Sequence, residues 1–367
     1  MTSEPTPRAR TIVKSAFARV MVRTGTDALI GALNRTARYA IALGYHRVVE
    51  NFAAEARQAI PAMLTSRAML ERQLDWIGRR FRFVTLDELG ARMEYGGSGP
   101  PVAAVTFDDG YRDVYMHALP ILRRKGIPAA IFVVTSLVDT RELQIHDRLY
   151  LLLTRAFARW ADPPRALAAL VRSQHLDPGD RQPLPAWPDH PRQALSLILR
   201  GFPRGAVHRL MAALEGEVGL DYQAAEGMLP LTWSMLAKMQ AAGMSVGSHT
   251  LSHAWLTRED PRTIAEEVTR SRLAIEARLG TPVHHFAYPD GRFTTMTARA
   301  LAAAGYRFAY TTCTHRHPRY PLLSIPRTML WERACVDALG RFSAAIMSCQ
   351  VHGVFSLLGG CEQDHGG

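Results

Sequence analysis

PVAAVTFDDG, Pro101 to Gly110, is a continuous apolar run that stops abruptly at two adjacent aspartates and a glycine. A short apolar run with β-branched residues, bounded by a turn signal, reads as a buried strand. The residues from Arg112 to Lys125 have helical character, and Gly126 is placed to end that helix. IPAAIFVV (127–134) is the next apolar strand. Strand, helix and strand make a βαβ unit, which implies parallel pairing.

The same rhythm extends outward in both directions. Upstream, YAIALGYHRV (39–48) reads as a buried strand ending at Tyr45 and His46. TSRAMLERQLDWIGRRF (65–81) reads as a helix with Thr65 or Ser66 as N-cap, and FRFVTLDELGARM (81–93) as a short strand and a helix. Downstream, LTWSMLAKMQAAG (231–243) is a helix stopped by Gly243, and MSVGSH (244–249) a strand. Asp260 caps a helix that starts at Pro261 and runs to Gly280. HHFAYP (284–289), YRFAYTT (306–312) and LLSIPRTML (322–330) supply further strands, with a helix ending at Gly305 between the first two. Alternating strands and helices of this kind form a barrel or a doubly wound sheet. Between Asp139 and Met228 the rhythm breaks into helices and proline-rich loops, such as DPGDRQPLPAWPDHPR (177–192). This segment reads as an inserted helical subdomain, either a lid over a site or a passive surface excursion. The expected organisation is a basic helical arm (1–38), a barrel (39–138 and 229–348), the insertion (139–228) and a flexible glycine-rich tail (349–367).

Composition excludes several classes. Of 367 residues, 47% are apolar and 21% charged, which rules out a disordered, collagen-like or coiled-coil chain. The net charge of +11 suits an anionic partner, but the arginines are scattered and no nucleic-acid recognition motif occurs, so no nucleic acid is expected. The four cysteines, Cys313, Cys335, Cys349 and Cys361, fit a reducing compartment better than a disulfide framework. No run approaches the roughly 18–20 apolar residues of a spanning helix. Arg8, Arg10, Lys14, Arg19 and Arg23 interrupt any export signal, so a cytoplasmic protein is expected. Ile12, Val13, Phe17, Val20 and Met21 have helical spacing. That basic amphipathic helix either packs on the main domain or lies at the inner membrane face as a peripheral anchor.

In parallel α/β architectures, functional groups gather where strands reach their C-terminal edge. Four polar clusters satisfy that rule: His46, the Asp108-Asp109 pair, His249 to His253, and Tyr288-Pro289-Asp290-Gly291. Adjacent carboxylates after a strand cannot point the same way, so one can bind a cation while the other faces a substrate water. DDG is also a common turn string. On a helical turn, His249 and His253 would share one face, as two ligands of one metal require. Fourteen histidines make one such spacing by chance in about half of chains of this size. Two imidazoles and a carboxylate leave open positions on a zinc-like ion.

TFDDGYRD, SHTLSH and FAYPDGRF, in this order, resemble the successive motifs of the polysaccharide deacetylase family, the NodB-homology group or carbohydrate esterase family 4. YHRV with the following FVTLDEL resembles the N-terminal portion of one branch of that family. The resemblance runs from about His46 to Arg327, interrupted by the insertion. It implies a distorted (β/α) barrel and removal of N-acetyl or O-acetyl groups from sugars with a divalent metal. Zinc is the expected ion, with cobalt, nickel or manganese as alternatives. Carried over, it implies Asp108 as general base, Asp109, His249 and His253 as metal ligands, and the turn Tyr288 to Gly291 at the oxyanion, through the N–H of Asp290.

Two departures stand out. The family's third motif carries an arginine two residues before the proline; here that residue is Ala287, and Arg327 in SIPRTM is the candidate substitute for bracing the base. The family's late Leu-x-His motif is absent, and in the branch with a YHRV-like segment that histidine fills the general-acid role, which makes His46 the expected acid. His284, His285, His315 and His317 are fallbacks. Trp233, Trp255 and Trp331 are candidates for sugar stacking, and His146 and Asp147 for lining the cleft, although a packing role accounts for each. The expected function is metal-dependent removal of N-acetyl groups from an N-acetylhexosamine in an oligosaccharide, polysaccharide or glycolipid precursor. The alternatives are hydrolysis of linear or cyclic non-sugar amides, and a non-catalytic carbohydrate-binding protein with a decayed site.

Overall fold

The computed structural model describes residues 7–33, 40–96, 99–175, 187–220 and 226–357. Ten strands are present among them: β1 (Ala40–Tyr45), β2 (Arg47–Val49), β3 (Leu64–Ser66), β4 (Arg82–Phe83), β5 (Val102–Phe107), β6 (Ala129–Val133), β7 (Ser245–Ser248), β8 (His285–Ala287), β9 (Phe308–Thr311) and β10 (Ile325–Met329). Strands β5 to β10 pair in chain order, β10 pairs with β1, and β1 returns to β5, all in parallel. The result is a closed seven-stranded barrel ringed by helices. β1 takes one edge of β5 along its whole length, from Ala40–Val102 to Tyr45–Phe107. The other edge is shared, with β4 on Val102 and Ala103 and β6 on Val105 to Phe107. β2 and β3 form a separate parallel pair.

The strands are apolar throughout because both faces are covered. Ile41, Leu43, Tyr45, Val105, Phe107 and Ile131 join helix residues such as Leu70 and Ile77 in the outer core. Their sequence neighbours Ala40, Ala42, Ala104, Ala130 and Phe132 join Phe308, Tyr310 and Ile325 in a second cluster, with Leu86 and Leu89 of the helix Leu86–Tyr95. With a side-chain period of two, this second set points into the barrel. Small alanines on neighbouring strands leave the interior volume that Phe132, Phe308 and Tyr310 fill.

The expected helix between β5 and β6 begins as a π-helix (Val114–Ala118) before the α-helix Leu119–Lys125. Pro120 has no N–H to continue an α-helical ladder back into that turn. The helix Arg67–Gly78 starts at Ser66, whose Oγ accepts the Met69 N–H, and Pro261–Leu279 starts at Asp260 and stops at Gly280 in a left-handed conformation.

Four helices, Ile145–Arg159, Pro163–Ser173, Pro191–Gly201 and Arg204–Val218, pack on one another through Leu149, Leu152, Leu167, Ile198, Leu210 and Leu214. Most of the proline-rich loop expected between 177 and 192 lies outside the described residues. The helix Pro7–Arg23 packs on the helix Ala344–Val351 through Ala18, Ile346 and Cys349. Its other side leaves Ile12, Val13 and Val20 exposed. Cys349, where the sequence suggests a flexible tail begins, is buried within that C-terminal helix, and Phe355–Leu357 form a further 3-10 turn. Burial of Ile346, Val351 and Val354 outweighs the glycine-rich composition there. The rest of the expected tail, with Cys361, lies outside the described residues. No described helix is long and apolar enough to cross a membrane.

β7 runs so close to its neighbours that a Cβ on Gly247 would lie 2.6 Å from the Phe132 ring and 2.9 Å from the His285 carbonyl oxygen. A backbone oxygen cannot swing aside as a side chain can. Gly247→Ala is therefore expected to cost about 1–3 kcal/mol. Urea unfolding checks this, as a lower midpoint at unchanged slope.

Candidate active site

The strand phase that fills the barrel also aims the charged residues at its mouth. Asp108 follows the inward-pointing Ala104 and Thr106 at intervals of two, and Arg327 follows the inward Ile325. Registers Ala42–Arg327 and Ala42–Ala104 place β10 and β5 on either side of β1. Arg327 reaches across and clamps Asp108 with two parallel hydrogen bonds of 2.7 Å, from Nη1 to Oδ1 and from Nη2 to Oδ2. Nη1 also donates to Thr106 Oγ1 at 3.1 Å. Burial alone would raise the Asp108 carboxyl, but the Arg327 guanidinium outweighs it and holds the group below the usual carboxylate range. The position of the family arginine, Ala287, supplies only its carbonyl oxygen to the site.

Asp109 turns the other way because it adopts φ +71°, with Gly110 at φ +71° behind it. Its Oδ1 lies 3.4 Å from Nε2 of His249 and 3.2 Å from Nε2 of His253. These contacts lack the alignment of hydrogen bonds, and both buried Asp109 oxygens remain without a donor. Burial would raise this carboxyl too, yet the surrounding imidazoles hold it well below the usual range. His249 Nδ1 sits 2.8 Å from the Ala287 carbonyl oxygen. A carbonyl only accepts, so Nδ1 carries a proton and Nε2 is the ring nitrogen that faces Asp109. One oxygen and two nitrogens thus lie within 4.8 Å of one another, all buried. Tetrahedral ligand bonds of about 2.1 Å separate ligand atoms by about 3.4 Å. The donor set and its spacing therefore fit a small divalent cation.

The two histidines do not share a helical turn. His249 directly follows β7, and the chain reverses through Thr250 at φ +69° to His253 at φ +58°. Glu267 holds the reversal: its Oε2 accepts the Ser252 N–H at 2.9 Å and its Oε1 accepts the Ser252 hydroxyl. A left-handed turn brings the imidazoles together where a helix was expected.

His46, Asp108, Asp109, His249, His253, Tyr288, Asp290, Gly291 and Arg327 all line one cavity of 340 Å³. Pro289 is buried but is not among the lining residues. The Tyr288 hydroxyl donates to the Leu323 carbonyl at 2.9 Å, so the ring packs rather than recognises. Asp290 is left-handed, at φ +55°. His284, His285, His315 and His317 are not among the lining residues. His285 starts β8 at the opposite end of the barrel, bonded to Asp87 at 3.0 Å. Of the tryptophans, Trp255 lines the cavity, whereas Trp233 and Trp331 pack against the outer core.

Nothing in the spacing of residues requires His146, yet it lines the same cavity. Its Nε2 lies 3.7 Å from Asp109 Oδ2, and its ring centre 5.0 Å from that of His253. Tyr111 donates its only hydroxyl proton to Asp147 Oδ2 at 2.6 Å, so its oxygen accepts from His146 Nε2 at 2.8 Å. His146 thereby carries its proton on Nε2, toward Tyr111 and Asp109. Its position at the start of the first inserted helix, after the polar turn that follows β6, was the only signal available. Arg47 lies over the Tyr111 ring, 5.5 Å from its centre, and pairs with Asp113 at 2.8 Å.

One zinc or cobalt ion per chain is expected on titration against a chromogenic chelator. Affinity should fall by at least about 100-fold in Asp109→Ala or His253→Ala, and by about 10-fold in His146→Ala, whose residue touches a ligand. Unchanged affinity in all three would remove the metal centre from this cluster.

The sequence matches the polysaccharide deacetylase family model over residues 96–175 and 205–309, just over half of the chain. The segment 176–204 between the matched blocks is unmatched and contains the helix Pro191–Gly201. No curated protein matches the chain. Among solved structures, IcaB from Ammonifex degensii is similar at 19% identity and a TM-score of 0.52, over 86% of this chain and 97% of its own. The Streptococcus pyogenes deacetylase PplD, solved with acetate, gives 18% and 0.51, over 82% and 95%. A de-N-acetylase from Aggregatibacter actinomycetemcomitans gives 18% and 0.50, over 83% and 97%. At these identities the structures establish the common barrel, and the sequence match establishes descent: the chain belongs to the polysaccharide deacetylase family, hydrolases of carbon–nitrogen bonds in acetylated carbohydrates.

Proposed function

We propose that this protein removes N-acetyl groups from an N-acetylhexosamine in an oligosaccharide, polysaccharide or glycolipid precursor by metal-assisted hydrolysis. One observation carries the reading: Asp109, His249 and His253 cluster with the donor set and spacing that a metal ion needs, and the adjoining Asp108 stands beside them in the same cavity with a separate partner. A divalent ion held there, zinc by the donor set, supplies Lewis acidity to the acetyl carbonyl and to water.

The chain's own residues then have distinct tasks. Asp108 is ionised, fixed in orientation by Arg327, and takes the proton of the attacking water. The Asp290 N–H, in the turn that follows β8, faces the oxyanion. His46, at the end of β1 on the cavity wall, gives a proton to the departing amine. His146 stands 3.7 Å from the second oxygen of Asp109 and acts on it through the field of its ring rather than through a hydrogen bond. The Arg327 clamp argues against a decayed site, because it gives Asp108 the support that Ala287 cannot.

Acetate release from N-acetylated chitooligosaccharides and glycosyl phosphates is the test. Chelation is expected to abolish release and zinc or cobalt to restore it. Asp108→Asn should lower kcat by at least about 100-fold while metal content stays at one ion per chain. Release that withstands both treatments would overturn the mechanism. His46→Ala is expected to lower kcat by a similar factor, with the smallest loss on substrates whose leaving amine is least basic. Equal losses across such a series would remove His46 from the acid role.

A further inference from the structure

The N-terminal helices Pro7–Arg23 and Thr26–Leu33 are packed on one side, where both rest on the C-terminal helix Ala344–Val351. From the first, Ala18 is buried against Ile346 and Cys349, and Lys14 Nζ donates to the Ala334 carbonyl at 3.1 Å while standing over the Phe355 ring. From the second, Asp27 accepts the Ser348 hydroxyl at 2.6 Å, and a Cβ on Gly31 would lie 2.7 Å from the His352 ring. The opposite sides of both helices are open. Of the eleven large apolar side chains exposed among the described residues, six fall between residues 12 and 33: Ile12, Val13, Val20, Val22, Leu29 and Leu33. Ile12, Ala16 and Val20 form one stripe at i, i+4 and i+8 with Val13 beside it, and Leu29 and Leu33 form a second at i and i+4. Arg19 and Arg23, both exposed and one turn apart, run along an edge of the first stripe. Asp27 is the sole acid between residues 7 and 33, and it is turned inward.

Apolar side chains gathered on an outer face mark a contact surface. The charges beside them choose its occupant. A second copy is a poor match, because a two-fold contact would bring together two faces that carry cations and no outward acid, on chains of net charge +11. An anionic bilayer answers both features. Its acyl boundary takes the aliphatic stripe, and its phosphates take the guanidinium groups, whose hydrocarbon stems lie along the same boundary. We propose that the two N-terminal helices form a peripheral docking surface for an anionic lipid bilayer, with the Ile12 and Leu29 stripes at headgroup depth and Arg19 and Arg23 on lipid phosphates. The stripes hold only small aliphatic side chains, so attachment is reversible and needs the charges as well as the apolar contact. The surface uses no residue of the catalytic cavity, and the proposal holds whatever that cavity hydrolyses.

Cosedimentation of the full chain with lipid vesicles tests this. Vesicles of phosphatidylcholine with about one-third phosphatidylglycerol should bind it at least about 10-fold more tightly than phosphatidylcholine alone. Binding should weaken as salt is raised, because the arginine contacts are screened. Arg19→Gln with Arg23→Gln is expected to lower partition onto the anionic vesicles by about 10-fold or more and to flatten its salt dependence. Ile12→Gln with Val20→Gln should lower partition by a similar factor. All four side chains are exposed, so the urea unfolding midpoint should stay where it is in both double variants. Leu273→Gln, which removes an exposed leucine from the helix Pro261–Leu279, should leave partition unchanged. The proposal is overturned by an absence of partition onto anionic vesicles at low salt, by partition indifferent to both double variants, or by an equal loss in Leu273→Gln. A dimer in solution that dissociates in Ile12→Gln with Val20→Gln, from a chain that leaves the vesicles unbound, would give the face to a second copy and overturn it too.

Discussion

The buried pair between Arg327 and Asp108 is the constraint around which the site is organised. Both groups are almost wholly inaccessible, at 6% and 2% exposure. Taking two charges out of water costs several kcal/mol per ion, and only close two-point geometry offsets it. That geometry exists because β1 separates β5 from β10 in a fixed register and the inward phase of both outer strands points at the same spot. With both its oxygens engaged by Arg327, Asp108 stays apart from the histidines, and the cluster that could hold a metal ion gathers on Asp109. Loss of either partner would leave an uncompensated charge inside the barrel mouth.

Backbone conformation performs the second separation. Among the described residues, six non-glycine positions have positive φ, and four of them, Asp109, Thr250, His253 and Asp290, belong to the site. Each such residue costs on the order of 1–3 kcal/mol and persists only where its surroundings impose it. Here the Glu267 bonds to the Ser252 turn, the tight packing around Gly110 and Gly291, and the Asp290–Arg292 pair impose it. The strain lets consecutive aspartates face different partners and lets two histidines four residues apart converge without a helix.

The inserted helices tie into this centre from outside the barrel. His146, on the first of them, reaches Asp109, and Tyr111 and Asp147 fix its tautomer through a short hydrogen-bonded chain. The helix Pro191–Gly201 lines the same cavity through residues such as Leu195 and Leu199. Two parts of the insertion thus border the same cavity.

Much of this was legible in the amino-acid order. Apolar runs broken by glycines and capping residues marked the alternating strands and helices, and polar clusters after strand ends marked the barrel mouth, because a strand buried on both faces can end only where polar groups reach solvent or a site. Arg327 could be named as the brace for Asp108 but not distinguished from a surface arginine, since β10 and β5 lie more than 200 residues apart and only the closed register sets them on either side of β1. The left-handed turn at Thr250, the approach of His146 and the cavity-lining side of the helix Pro191–Gly201 were equally hidden, because each depends on packing between segments that local periodicity does not relate. The sequence by itself determined which residues could carry charge and metal; the tertiary structure decided which of them meet, because distance across a barrel is fixed by strand register and not by position along the chain.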